Sequence, residues 1–123
     1  NEQIIKKAID IIIDNINNIK KQVEEQTITI NNSNTTMNAF DIILDNDDYT
    51  IGKSLEYSLH ELYYINQPVF DFVGFNKEHP HNKYSVIRLS FKDNSNDKNT
   101  IYGYLNDACK NIINIFNNFS KQL

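Results

Sequence analysis

A single cysteine in 123 residues permits no internal disulfide, so packing alone has to hold the fold, as suits a reducing compartment. Glycine (3), proline (2) and arginine (Arg88 alone, beside eleven lysines) are scarce, whereas asparagine (20) and isoleucine (19) make up close to a third of the chain. Codon usage in an AT-rich genome leaves that signature. No apolar run approaches the ~20 residues that span a bilayer, and no basic-then-apolar leader stands at the start. A net charge of −4 and a pI near 5.2 argue against a dedicated nucleic-acid surface. What is present is 40% hydrophobic and 11% aromatic, too apolar for a disordered chain and the right length for one domain. At this size roughly two thirds of the unfolded surface is buried on folding. These limits describe a soluble intracellular domain that meets other proteins.

Periodicity divides the chain into helices and strands. Ile5, Ile9, Ile12, Ile16, Ile19 and Val23 follow one another at intervals of 4, 3, 4, 3 and 4, an amphipathic helix over residues 2–25. Ile4, Ile11 and Ile13 widen its apolar surface beyond one contact stripe, so this helix is expected to touch its own sheet and something else. Residues 27–30 and 39–45 read as a hairpin across a polar loop, with Asn31 to Asn34 as turn chemistry. Thr50 is placed as the N-cap of a helix from Ile51 to about Tyr64, with Ile51, Leu55, Leu59 and Leu62 on one face. Strands follow at 69–75 and 84–91. In the second, Ser85, Ile87, Leu89 and Phe91 face one way and Tyr84, Val86, Arg88 and Ser90 the other.

Residues 93–99 form a polar loop, and a long helix runs from residue 100. Its seam is Ile101, Leu105, Ala108, Ile112, Ile115 and Phe119, again at intervals of 4, 3, 4, 3 and 4, with Phe116 and Leu123 alongside, the pattern of a helix that packs along another. At an offset of 100 without a gap, Ala8, Ile12, Ile13, Asn17, Asn18, Lys21 and Gln22 match Ala108, Ile112, Ile113, Asn117, Asn118, Lys121 and Gln122. The match points to equivalent helices of a duplicated unit.

Residues that could carry chemistry read better as structure. His60, His79 and His81 lack cysteine neighbours, and a strand-turn backbone points alternate residues apart, so no metal site is expected. Asp45, Asp47 and Asp48 lack the glycine and terminal glutamate of a calcium loop. Cys109 adjoins the apolar seam with no basic cluster beside it, so it reads as a small buried hydrophobe. Tyr63, Tyr64, Phe70, Phe72 and Phe75 lack the basic residues that accompany base stacking. No catalytic set and no cofactor site are expected.

Two segments carry identity: Asp47-Asp48-Tyr49-Thr50-Ile51-Gly52-Lys53-Ser54-Leu55 and Phe72-Val73-Gly74-Phe75-Asn76-Lys77-Glu78-His79-Pro80. In this order the chain resembles the small α-like subunit family of multisubunit DNA-directed RNA polymerases, which includes archaeal subunit L and its eukaryotic counterparts. The matching motif positions are Asp48, Thr50, Gly52, Phe72, Gly74, His79 and Pro80. Tyr49 stands where the family has His, Lys53 where it has Asn, and Phe75 where it has Tyr. Gly52 is expected to admit a neighbouring backbone, and Gly74 to mark a tight contact or a bulge.

The resemblance covers about residues 27–123. It implies an α+β fold, a small antiparallel sheet of about four strands packed against helices, with a dimerisation face and a long C-terminal helix. It also implies a non-catalytic subunit that pairs with a larger α-like polymerase subunit as the platform for the two large catalytic subunits. Neither direct nucleic-acid binding nor membrane contact is implied. The expected interface is Leu55, Leu59, Leu105, Ile112, Ile115, Phe116 and Phe119. The family pattern does not require a helix like residues 1–26. With the offset repeat and a first residue other than methionine, that helix suggests the end of a preceding α-like partner fused in the same chain, as in large DNA viruses. The location is then the nucleus in a eukaryote, or host cytoplasm or virion for a virus. The competing readings are a stand-alone homodimeric α+β adaptor unrelated to transcription and, with less support, a small enzyme.

Overall fold

The computed structural model describes residues 1–33, 38–45, 49–77, 83–93 and 97–123. Helix α1 (Glu2–Glu24) leads into strands β1 (Thr29–Asn32) and β2 (Ala39–Leu44). Helix α2 (Tyr49–His60) continues into a π-helical turn (Glu61–Asn66), followed by β3 (Phe70–Asn76), β4 (Ser85–Phe91) and α3 (Lys98–Lys121). The fold is α+β, as expected.

The Asn1 side-chain oxygen starts α1 by accepting the Gln3 and Ile4 N–H groups at 2.9 and 3.2 Å. Gln26 stops it in the left-handed region, φ 56°. The Thr27 and Ile28 N–H groups then turn back onto the Gln22 carbonyl at 2.9 and 3.3 Å. That fold-back keeps residues 27 and 28 out of the sheet, so β1 begins two residues later than the β-branched run suggests.

The sheet order is β1-β2-β4-β3 with every pair antiparallel. Because β2 and β3 both oppose β4, they run parallel to each other, and α2 makes the crossover that such strands need. Alternation sorts the residues as β4 predicted. Ile42 and Leu44 of β2 and Ser85, Ile87, Leu89 and Phe91 of β4 are buried beneath the helices. On the other face Arg88 pairs directly with Asp41, its Nε donating at 2.7 Å and its Nη2 at 3.1 Å to the two carboxylate oxygens.

Two helix starts differ from expectation. Helix α2 begins at Tyr49, which places Thr50 inside the first turn and not at the cap. Helix α3 begins at Lys98 because Asp97 caps it, accepting the Asn99 N–H at 3.0 Å while the Thr100 hydroxyl donates to the Asp97 carbonyl at 2.7 Å. Among the described residues, no helix is long and apolar enough to cross a membrane.

One core joins the layers. Tyr104 of α3 meets Phe70 and Phe91 of the sheet at ring separations of 5.5 and 6.3 Å, and Tyr63 of the π turn stands against Phe70 at 6.2 Å. Helix α1 lies along α3 and adds Ile16, Ile19 and Val23 to the same cluster. Each such isoleucine or leucine, fully buried, stabilises the fold by about 1.5–3 kcal/mol.

Candidate docking interface

The two motif segments meet across the α2–β3 junction. Gly52 is buried in the first turns of α2, and the Phe75 ring lies over it, so close that a Cβ there would stand 2.5 and 2.6 Å from Cδ2 and Cζ. The expected neighbour was a backbone; it is this ring. Tyr49 packs its edge on the same ring at 5.5 Å, and the Phe75 N–H donates to the Glu56 carboxylate at 2.6 Å. Glu56 also accepts from the Lys53 Nζ at 3.0 Å, which holds that ammonium above its usual pKa. Lys53 in turn sits 5.6 and 5.9 Å over the Tyr49 and Phe75 rings. The second motif folds on itself: the half-exposed Phe72 ring covers Gly74, leaving 2.6 Å between Cζ and a Cβ placed there. The tight contact expected of Gly74 is therefore made by its own strand, while the register shift falls between Phe70 and Phe72. Asp48, His79 and Pro80 lie outside the described residues.

Helices α2 and α3 run antiparallel and are pinned by polar contacts. Buried Ser58 donates to the Ala108 carbonyl at 3.2 Å and accepts from Asn111 Nδ2 at 2.9 Å. Further along, the Tyr63 hydroxyl donates to Asp107 at 2.6 Å. Burial first, and then the Asp107 hydrogen bond and charge, raise the Tyr63 phenol well above its usual range. Burial likewise pushes the Cys109 thiol up to about 12, leaving a packed hydrophobe and not a nucleophile.

The seven residues expected to face a partner divide into two groups. Leu55, Leu59 and Leu105 are fully buried and Ile112 is 2% exposed, all within this chain's own core. Within this chain, α2, α3, the sheet and α1 together cover that stretch of the seam. Beyond Ile112 the cover ends. Ile115 and Phe119 are 47% and 49% exposed, and Phe116 is half-buried.

Between this emerging end of α3 and the start of α2 runs a groove of about 380 Å³, lined by Tyr49, Lys53, Tyr57, Ile112, Ile115 and Phe116. Sequence reasoning omitted its α2 wall, although Tyr49, Lys53 and Tyr57 recur every fourth residue and so share a helix face. Among the described residues, no three His, Cys, Asp or Glu side chains gather as metal ligands. The groove's lining is mostly apolar, with Tyr49, Lys53 and Tyr57 along its α2 wall.

The family model described as the RNA polymerase Rpb3/Rpb11 dimerisation domain matches residues 39–122, from the first residue of β2 to the end of α3. No curated protein matches the chain at a significant level.

Proposed function

The chain belongs to the RNA polymerase Rpb3/Rpb11 dimerisation-domain family, and from that premise we propose that it pairs with a larger α-like polymerase subunit through the α2–α3 groove. The pair then serves as the non-catalytic platform on which the two large catalytic subunits assemble. One observation carries this reading: the α3 seam, buried up to Ile112, continues into the open at Ile115 and Phe119 beside an apolar groove. A helix end of that kind gains by entering a shared helical layer, where burying each side chain contributes about 1.5–3 kcal/mol before ordering costs.

The test is co-purification from the native source with Phe119→Glu and Tyr57→Glu against wild type. Wild type should bring down an α-like subunit and two large subunits. Each variant should fold normally yet lose them by at least tenfold. Wild-type recovery of the complex in both variants would overturn the groove assignment. A wild-type chain that carries down only a second copy of itself would favour the homodimeric adaptor instead.

A further inference from the structure

The two walls of the groove differ in charge. The α3 wall, Ile112, Ile115 and Phe116, is apolar, and after Asp107 the chain has Lys110 and Lys121 but no further Asp or Glu. On the α2 wall Lys53 is, among the described residues, the one charged side chain in the lining. It is held from three directions. Its Nζ donates to Glu56 at 3.0 Å and lies 5.6 Å over the Tyr49 ring and 5.9 Å over the Phe75 ring. Glu56 is fixed in turn, because its other carboxylate oxygen accepts the Phe75 N–H. The Lys53 side chain still stays 44% exposed. Ordering a free lysine on binding costs conformational entropy, and these contacts meet much of that cost before any partner arrives. Tyr49, Lys53 and Phe75 are also the three motif positions noted above at which this chain differs from the family, and the fold gathers all three into one cluster.

We propose that Lys53, set in place by Tyr49, Phe75 and Glu56, selects the partner: the groove takes a helix whose apolar side chains fill it and whose carboxylate meets the Lys53 ammonium. Charge complementarity decides the occupant. A second copy of this chain, offering its own α3 end, brings Lys110 and Lys121 and no Asp or Glu side chain, so like charges approach the ammonium. An entirely apolar helix covers the exposed part of the ammonium and adds no counter-charge to Glu56, and stripping water from a charge without compensation is costly. A carboxylate on the incoming helix supplies that compensation. Selection of this kind rejects wrong partners as much as it attracts the right one. The inference rests on the pairing proposed above and names the chemistry that chooses among α-like partners.

The test co-expresses the full chain with the α-like subunit recovered with it from the native source, comparing Lys53→Met, Lys53→Arg and Lys53→Glu with wild type. Lys53→Met keeps an apolar stem without the charge and should weaken the pair by at least about tenfold, as loss of a close charge pair between proteins does. It should also flatten the loss of affinity that the wild-type pair shows as salt rises. Lys53→Arg should hold most of the affinity. Lys53→Glu should lose the partner and regain it when one partner carboxylate is changed to lysine. Circular dichroism should show all three variants folded as wild type, since the Lys53 side chain is largely open. Wild-type affinity and salt dependence in Lys53→Met would overturn the selection and leave the pairing intact. Failure of every carboxylate-to-lysine change to restore Lys53→Glu would also overturn it, since Lys53 would then meet no carboxylate. Should the wild-type chain recover no α-like subunit, the pairing itself falls.

Discussion

Replacing Gly52 with alanine pits two known effects against each other. At an ordinary helix-interior site the change stabilises by about 1 kcal/mol, because alanine loses less backbone entropy and hides the helix better. At Gly52 the new methyl would lie well inside the Phe75 ring's van der Waals distance, with Cδ2 at 2.5 Å and Cζ at 2.6 Å, where carbon–carbon contacts settle near 3.5–4.0 Å. The ring must therefore swing away, and overpacking of that kind costs about 1–3 kcal/mol. Moving the ring also forfeits the Tyr49 edge contact, worth about 0.5–1.5 kcal/mol. It also strains the Phe75 N–H bond to Glu56. The expected net result is destabilisation by about 1–2 kcal/mol. Gly103 supplies the internal control: it is exposed in α3, a Cβ there meets nothing within 4 Å, and Gly103→Ala should stabilise by about 1 kcal/mol. Urea unfolding followed by circular dichroism reads both, and the midpoints should move in opposite directions at constant slope. Adding Phe75→Ala to Gly52→Ala should cost less than the two separate losses combined. If Gly52→Ala stabilised the chain as Gly103→Ala does, the ring-on-glycine lock between the motifs would be refuted.

Three further outcomes follow from the same geometry. Gln26→Gly should raise the urea midpoint by the equivalent of about 0.5–1 kcal/mol, since φ 56° is strained for glutamine and natural for glycine; a lower midpoint would refute its role as the helix stop. Ser58→Ala should lower stability by about 1–2 kcal/mol by stripping Asn111 of its buried acceptor, and an unchanged midpoint would show that this pin between α2 and α3 is idle. Alkaline titration should expose Cys109. Its folded thiol keeps its proton up to about 12 while the unfolded thiol, near 9, has lost it. The folded state then binds more protons over that window, so stability falls as pH rises from about 9 towards 12. Tyr63 acts in the same direction from about pH 10 upward. Cys109→Ala should flatten the fall between pH 9 and 10, and a slope identical to wild type would contradict a buried thiol.

Much of this architecture is legible in the residues because period and burial coincide. The alternation along β4 assigned its two faces, and the intervals of 4 and 3 located both long helices. The seam on α3 was visible but not its change of use at Ile112, because a heptad pattern looks the same whether its cover comes from the same chain or from another. Only the placement of α1 along α3 separates the two cases. The Thr50 assignment failed for a local reason: helix start signals blur by a residue or two where Asp, Tyr and Thr adjoin. The lock between Gly52 and Phe75 escaped sequence reading because the glycine's partner is a side chain more than twenty residues away.

The sheet order has a kinetic consequence. Strand β4 lies between β2 and β3, so the two earlier strands have no common neighbour until residues 85–91 have been synthesised. The groove waits longer still, since its second wall, Ile112, Ile115 and Phe116, is synthesised well after β4. Contacts so distant in sequence form slowly and late. A chain stopped before Ile112 therefore lacks the α3 wall of the groove. If the groove takes the partner as proposed, chain order acts as proofreading against half-made copies.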